Sequence, residues 1–226
     1  MVPVVNELLK SNLALRVFSA LFLAGVTIVG LFHGSPLFEA LLFIAFLFLM
    51  YELKKLPFKG QGSLFVALYL VISFLSVYWL FDFDSTTLLW LFCIVWSSDI
   101  GGYCAGKFFG GPKVLPKVSP NKTWAGVFGA CILTLFVTRL FVDYYLIPNE
   151  IRVAPVNFQI LDTDVLVLSL IFSLLSQIGD FLESYIKRQL GIKDTGSLIP
   201  GHGGLFDRLD GLIFVAPIFA LFIYSL

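Results

Sequence analysis

Long apolar runs separated by short polar segments make up most of this chain. Seven such runs are visible, at residues 14–32, 37–53, 64–81, 87–105, 123–142, 164–186 and 207–225. A transmembrane helix needs about 20 mostly apolar residues, so runs of this length can cross a bilayer. The pattern predicts an all-α, polytopic integral membrane helix bundle with about seven transmembrane helices. Because no long linker separates the runs, we expect one membrane domain at 1–226, with N-terminal spans at 1–85 and catalytic spans and loops at 86–226.

The composition agrees with a membrane protein and excludes an ordinary soluble domain. Of the 226 residues, 58% are hydrophobic and 13% are charged, whereas soluble domains are about 25% charged. The formal net charge is +0, so overall charge gives no support for a nucleic-acid partner, and none is expected. The cysteines lie in apolar runs without metal-type spacing, so Cys93, Cys104 and Cys131 are expected to be small buried hydrophobes.

The basic residues predict the orientation of the bundle. If the N-terminus is cytoplasmic, only Arg139 and Arg152 fall on the outer side, and the other 13 of the 15 Lys and Arg residues fall on the inner side. Cytoplasmic loops of membrane proteins carry an excess of Lys and Arg. We therefore predict a cytoplasmic N-terminus. Every basic candidate for phosphate binding then faces the compartment that holds nucleotides.

The sixth apolar run carries polar residues at helical spacing. Ser173, Gln177, Asp180, Ser184 and Lys187 are separated by four, three, four and three residues, which places them on one helical face. A carboxylate inside a membrane helix costs up to about 3 kcal/mol on insertion scales, so it needs a partner or a function. The alternatives for Asp180 are a hydrogen bond or ion pair between helices, and a site for a cation or substrate.

Two further carboxylates, Asp207 and Asp210, stand three residues apart at the start of the seventh run. This spacing puts both on one helical face, and hard oxygen ligands suit Mg²⁺. The alternative is that acidic residues simply favour a helix N-terminus. Just before them lies the turn Pro200-Gly-His-Gly-Gly204, whose glycines would let the backbone approach a phosphate.

A third group of polar residues lies between the fourth and fifth runs. Asp99 stands near the end of the fourth run and is expected to be buried. Ser119 and Thr123 can bind phosphate or cap the fifth helix, with Pro120 in its first turn. The loop also holds four lysines, at Lys107, Lys113, Lys117 and Lys122. Such lysines are equally typical of a loop that touches anionic lipid.

The segment Ser184–Asp210 resembles the signature of the phosphatidate cytidylyltransferase (CDP-diacylglycerol synthase) family. The family pattern runs Ser-x-apolar-Lys-Arg, four residues, Lys-Asp, and then Pro-x-His-Gly-Gly-apolar-x-Asp-Arg-apolar-Asp. This chain meets it without a gap, from Ser184 through Lys193 and His202 to Asp210. The Asp-x-Gly-x-Tyr element at Asp99 and the Ser-Pro-x-Lys-Thr-Trp element at Ser119 are also similar to the family. Ala125 departs from it, because relatives often carry Glu or Gln there.

The resemblance implies the reaction CTP + phosphatidate → CDP-diacylglycerol + pyrophosphate in phospholipid biosynthesis. It implies Mg²⁺ held by Asp180, Asp207 and Asp210, with K⁺ as a second candidate ion. The catalytic residues that it implies are Asp180, Lys187, Arg188, Lys193, Asp194, Asp207, Arg208 and Asp210. The substrate-binding residues that it implies are Asp99, Ser119, Lys122, Thr123, Ser184, His202, Gly203 and Gly204.

The resemblance also implies a homodimer in the lipid bilayer. We expect an integral protein of a bacterial inner membrane with its active site on the cytoplasmic face. One alternative keeps the class but changes the lipid, with a CTP-dependent transferase or kinase acting on an archaeol-type or prenol lipid. A second alternative is a small ion transporter, and the concentration of charge at one face argues against it.

Overall fold

The computed structural model describes residues 12–58, 61–146, 162–196 and 203–225. These residues form seven α-helices: α1 (Asn12–His33), α2 (Leu37–Lys55), α3 (Gly62–Phe83), α4 (Ser85–Phe109), α5 (Trp124–Phe141), α6 (Asp162–Gln189) and α7 (Phe206–Ser225). An antiparallel hairpin of β1 (Lys113–Leu115) and β2 (Ser119–Thr123) lies between α4 and α5. A π-helical turn, Val142–Leu146, follows α5. The predicted helical class is confirmed, with this hairpin added.

The helices coincide with the predicted apolar runs. Within the described residues, four stretches are long and apolar enough to cross a membrane: Gly62–Phe83, Ser85–Phe109, Trp124–Tyr144 and Asp164–Gln189. The first helix contributes a shorter apolar stretch, Phe18–His33. A polytopic helical membrane protein is therefore confirmed, and the count of seven spans stays a prediction.

The described chain divides into two compact units. The first unit comprises Met1–Tyr69 with Leu190–Leu209, and the second comprises Leu70–Gln189 with Asp210–Leu226. The prediction of a single domain stays a prediction.

Local sequence sets the ends of the helices that carry the candidate site. The Asp84 side chain accepts a hydrogen bond from the Thr87 N–H and so caps the start of α4. Gly110 and Gly111 follow the end of α4 with φ angles of 62° and 92°, which favour glycine. Thr123 caps α5 by accepting a hydrogen bond from the Gly126 N–H.

A chain of buried hydroxyl groups joins three helices of the second unit. Ser97 on α4 donates to Thr134 on α5 at 3.1 Å, and Thr134 donates to Ser173 on α6 at 3.2 Å. Ser173 in turn donates to Ser98 on α4 at 3.0 Å. Hydrogen bonds between membrane helices contribute about 0.6 kcal/mol each on average. The network therefore fixes the arrangement of α4, α5 and α6 more by its number of bonds than by the strength of any one.

The C-terminal part of α4, from Asp99 to Phe109, is more open than the rest of the helix. Cys104 lies there and is exposed, so the expectation that it is buried is wrong. Asp99 is exposed as well, and the expected burial of this carboxylate is also wrong. Asp99 directly follows the buried Ser98, so its exposure comes from the face of α4 on which it lies and not from distance to the hydroxyl network. An exposed Asp99 is accessible to a ligand.

Candidate active site

The central contact of the second unit joins the hairpin to α6. The Lys122 ammonium forms an ion pair with Oδ2 of Asp180, and it also lies 4.7 Å from the centre of the Phe181 ring. Both side chains are largely enclosed, with 30% of Lys122 and 16% of Asp180 exposed. An ion pair of Asp180 is therefore present, but it joins α6 to the hairpin strand β2 and not to another helix, as one of the alternatives had expected. Both of its residues are among the predicted site residues.

The hairpin places Lys122 at the base of α5. Lys122 and Thr123 are the last residues of β2, and α5 begins at the next residue, Trp124. The expected role of Thr123 as helix cap is confirmed. Pro120 was expected in the first turn of this helix, but it lies in β2, so that expectation is wrong. Proline has no N–H to donate, and such a residue is tolerated at an edge strand as well as at a helix start.

Close packing of α4 against α5 brings Asp99 to the same side as the hairpin. A Cβ on Gly101 would lie 2.5 Å from the Gly129 carbonyl oxygen, and one on Gly126 would lie 2.8 Å from the Gly102 carbonyl oxygen. Small residues of this kind let membrane helices approach until their backbones touch. The glycines of both elements therefore have a packing role that the sequence analysis did not assign.

A cavity of about 480 Å³ opens between α4, the hairpin, α5 and α6 in the second unit. Its charged lining consists of one carboxylate, Asp99, and three lysines, Lys107, Lys113 and Lys122. The Gln177 side chain also lines it, and its Nε2 is a buried donor with no acceptor among the described residues. A cavity with three cations and an orphaned amide donor suits a ligand that is rich in phosphate and carbonyl oxygens.

The C-terminal end of α6 carries a second ion pair. Lys187 lies 2.6 Å from Glu183, one helical turn away, and Glu183 is only 6% exposed. Glu183 was not among the predicted site residues, although a carboxylate in an apolar run three residues after Asp180 is a detectable signal. Arg188 donates from its Nε to the Val118 carbonyl oxygen at 3.3 Å and so contacts the turn of the hairpin. Ser184 is half-buried on the same helix.

In the first unit, Asp207 is buried and bound to backbone amides. Its carboxylate accepts hydrogen bonds from the Gly204 N–H at 2.9 Å and from the Thr195 N–H at 3.0 Å. Gly203 has a φ angle of 88°, and a Cβ there would lie 2.7 Å from Asp207 Oδ2. The glycine is needed for this turn because it both adopts the left-handed conformation and leaves room for the carboxylate. Gly204 is buried in the same turn.

The remaining predicted site residues differ in their environment. Lys193, Asp194 and Arg208 are exposed in the first unit. Ser119 is half-buried in β2 of the second unit. His202 lies outside the described residues. A residue that the sequence analysis missed is Glu52, whose carboxylate is buried beside the Gly203–Asp207 turn and accepts hydrogen bonds from it.

Two of the three predicted metal ligands belong to the second unit. A Cβ on Gly211, next to Asp210, would lie 3.3 Å from Asp180 Oδ1, so these parts of α6 and α7 are adjacent. Asp180 Oδ1 is buried and has no hydrogen-bond partner within the described part of the chain. An orphaned carboxylate oxygen fits a hard cation such as Mg²⁺. The described residues hold no group of three or more His, Cys, Asp and Glu side chains placed to bind an ion, and the three-ligand site stays a prediction.

Comparison with known proteins gives consistent matches. The sequence profile of the cytidylyltransferase family matches residues 8–226. The phosphatidate cytidylyltransferase of Rickettsia bellii is 32% identical over 219 residues, which cover 92% of this chain and 90% of that protein. That of Rickettsia conorii is 30% identical over 227 residues, which cover 96% of this chain and 94% of that protein.

A more similar but shorter match involves only part of each chain. The phosphatidate cytidylyltransferase of Brucella melitensis is 44% identical over 140 residues, which are 62% of this chain and 47% of that protein. The chain thus spans about half the length of the Brucella relatives that it matches and nearly the whole length of the Rickettsia relatives.

Proposed function

This chain belongs to the cytidylyltransferase family, and we propose from that premise that it transfers CMP from CTP to phosphatidate, giving CDP-diacylglycerol and pyrophosphate. The observation that carries the proposal is the cavity of the second unit, where three lysines and Asp99 surround a space of about 480 Å³ beside the Lys122–Asp180 pair. The names of the relatives and the cation-rich signature support the same reaction.

The proposed chemistry needs positioning and positive charge more than it needs a strong base. A phosphate oxygen of phosphatidate, already anionic, attacks the α-phosphorus of CTP. A bond forms between that oxygen and the α-phosphorus, and the bond from the α-phosphorus to the bridging oxygen breaks, so that pyrophosphate leaves with the electron pair. The obstacles are repulsion between two polyanions and the charge on the leaving group, and fixed cations lower both.

Lys122 is the cation best placed to act in this way. It is held half-buried between Asp180 and the Phe181 ring, at the base of a helix N-terminus that itself favours anions. We assign it to a substrate phosphate together with Lys107 and Lys113 from the same cavity. Other cations of the signature neutralise further phosphate charge, and these are Lys187, Arg188, Lys193 and Arg208. Asp99 is assigned to orienting these lysines or contacting the nucleotide.

We propose that the reaction depends on Mg²⁺. Asp180 and Asp210 would hold the ion, because the orphaned Oδ1 of Asp180 and the adjacent carboxylate are hard oxygen donors. The resemblance also assigns Asp207 to this ion and K⁺ to a second position. When bound, a divalent ion lowers the charge of phosphate oxygens and stabilises the leaving pyrophosphate.

The proposed setting is a bacterial inner membrane, with the cavity open to the cytoplasm and the protein acting as a homodimer. The distribution of basic residues supports this orientation. A cysteine introduced at Lys117 should then react with an impermeant thiol reagent only from the cytoplasmic side. Labelling from the outer side would contradict the orientation.

The assay that tests the reaction uses purified protein with phosphatidate in mixed micelles and CTP labelled at either the α- or the γ-phosphate. Cytidylyl transfer leaves the α-label on the lipid and releases the γ-label as pyrophosphate. A lipid kinase would leave the γ-label on the lipid instead. Prenol and archaeol-type acceptors, tested in parallel, decide between the alternative lipids. Absence of α-labelled lipid with every acceptor would reject the proposal.

A further inference from the structure

Glu52 is a carboxylate in the last turn of α2, and it is almost completely buried, with 2% of its surface exposed. Its Oε1 accepts a hydrogen bond from the Leu205 N–H at 2.9 Å, and its Oε2 accepts one from the Phe206 N–H at 3.0 Å. These amides belong to the start of α7, 153 and 154 residues further along the chain. Glu52 thus caps α7 from a distant helix, with both oxygens in use.

Glycines of the signature segment make room for this carboxylate. A Cβ on Gly196 would lie 2.7 Å from Glu52 Oε1, and its three nearest atoms would all belong to Glu52. A Cβ on Gly204 would lie 2.8 Å from Glu52 Oε2. Real Cβ atoms essentially never come this close to another heavy atom. The two glycines therefore form a cradle in which the Glu52 carboxylate sits against the backbone.

Glu52 and Asp207 together accept hydrogen bonds from three backbone amides of the Gly203–Asp207 turn and from the Thr195 amide. Asp207 accepts hydrogen bonds from the N–H groups of Thr195 and Gly204. Glu52 accepts hydrogen bonds from the N–H groups of Leu205 and Phe206, which follow Gly204 in the chain. A helix N-terminus leaves its first N–H groups without intrahelical partners, and a carboxylate is the most favourable acceptor for them. Removing Glu52 would leave two part-buried donors unsatisfied, so the turn would have to move to hydrate them fully.

We propose that Glu52 is a positioning residue of the active site, which acts by fixing the turn that carries Asp207 and Arg208. The inference rests on the proposed function, because it concerns the use of those two residues. If the inference holds, helix α2, through Glu52, directly sets the geometry of the signature segment Ser184–Asp210.

The first test compares Glu52→Gln with Glu39→Gln, a matched change of another carboxylate on the same helix. An amide at position 52 presents an NH₂ group to a backbone donor, so one of the two hydrogen bonds is lost. A displacement of about 1 Å in a catalytic group can cost 100-fold, and we expect kcat per folded molecule to fall about tenfold or more. Hydrogen exchange should accelerate at the Leu205 and Phe206 amides. Glu39→Gln should change neither quantity.

The second test uses Gly196→Ala, which leaves both carboxylates in place but fills the cradle. Because the added methyl group meets only Glu52 among its nearest atoms, this variant should lower kcat in the wild-type background. In a Glu52→Ala background the space is free, so the same change should cost much less. A double-mutant cycle on kcat therefore measures the contact directly, and it replaces the first test if Glu52→Gln fails to fold.

Three results would overturn the inference. One is wild-type kcat per folded molecule in Glu52→Gln, even with a lowered yield, because that describes a merely structural residue. Another is a lowered kcat without faster exchange at the two amides. The third is an additive cycle between Gly196→Ala and Glu52→Ala. If the wild-type protein makes no CDP-lipid at all, the proposed function fails instead, and the exchange rates still report whether Glu52 holds the turn.

Discussion

The two units of this protein satisfy their buried carboxylates in different ways. In the first unit, Glu52 and Asp207 accept hydrogen bonds from four backbone amides. In the second unit, Asp180 and Glu183 form ion pairs with lysine side chains. A backbone amide is fixed in the turn, so it separates from its carboxylate only if the turn or the acidic side chain moves. A lysine ammonium sits on a flexible stem and can turn toward a substrate phosphate.

This difference separates residues that fix shape from residues that can change partner. The carboxylates of the first unit define the conformation of the glycine-rich turn, whatever else they bind. In the second unit, Lys122 and Lys187 are each paired with a carboxylate. Under the proposed function, a substrate phosphate would replace that carboxylate as the partner of the lysine and leave the carboxylate charge uncompensated. A divalent cation bound to Asp180 would compensate that charge.

The largest expected effect comes from the carboxylates. Asp180→Asn, Asp207→Asn and Asp210→Asn should each lower specific activity at least about 100-fold, since charge neutralisation at phosphates supplies several kcal/mol. The comparison between the units predicts different effects on stability. Asp180→Asn should leave the thermal unfolding temperature nearly unchanged. Asp207→Asn should lower it, because an unsatisfied buried donor costs about 1–3 kcal/mol.

The measurement combines specific activity against Mg²⁺ concentration with thermal unfolding for all three variants. Raised Mg²⁺ should restore part of the activity in Asp180→Asn or Asp210→Asn. Three unstable but active variants would mean that the carboxylates are structural. Equal stability of Asp180→Asn and Asp207→Asn would remove the distinction between the two units.

A smaller effect is expected for the lysine that pairs with Asp180. Lys122→Met keeps an unbranched apolar stem over the Phe181 ring but removes the charge. We expect about a tenfold to 100-fold loss of kcat/KM, because a partly enclosed cation that meets a phosphate is worth more than an exposed one. The control is Lys117→Met, an exposed lysine of the same hairpin. Equal losses in both variants would favour a general interaction of the loop with anionic lipid.

Helix periodicity predicted most of this fold because the apolar runs are long and well separated. The Ser173–Lys187 spacing also identified the polar face of α6 and so the partner of Lys122. The hairpin was not predicted, since Ser119 to Thr123 contains Pro120 and polar residues that are typical of a loop. The chain reverses between the two strands at residues 116–118, where the Val118 N–H donates to the Leu115 carbonyl oxygen at 3.1 Å, and this turn pairs β1 with β2.

Glu52 and Glu183 were not recognised as site residues from the sequence, for a different reason. Each is a single carboxylate near the end of an apolar run, where an acidic residue at a membrane surface is unremarkable. Their importance depends on contacts that are distant in sequence for Glu52, or on burial that only packing reveals for Glu183. A rule that treats every carboxylate within an apolar run as partnered would have selected both.

The hydroxyl network of the second unit should show a stability effect without a large effect on activity. Ser173→Ala removes hydrogen bonds to Ser98 and Thr134 and leaves the helix volume nearly unchanged. We expect a loss of about 0.5–1.5 kcal/mol in stability, since single hydrogen bonds contribute in this range. Thermal unfolding in detergent measures it, with Ser76→Ala as the control, because its exposed hydroxyl bonds only to its own helix. A loss of activity beyond that stability effect would place Ser173 at the substrate.

The smallest effect is expected at Ala125, where relatives often carry Glu or Gln. This residue is half-buried in the first turn of α5, next to the cap Thr123 and close to the lysine-lined cavity. Ala125→Gln adds a polar side chain without charge, so it should change the KM of one substrate by a few-fold and leave kcat nearly constant. Ala125→Glu adds charge at a helix N-terminus, which favours folding by about 0.3–1 kcal/mol, but it also competes with phosphates for Lys122. The glutamate variant should therefore raise KM more than the glutamine variant while unfolding at a higher temperature.

Complete loss of activity in both variants, with normal folding, would mean that the pocket is built around a small residue at this position. That outcome would also weaken the contrast between the two units, because the lysine-lined cavity would then tolerate as little change as the glycine-rich turn.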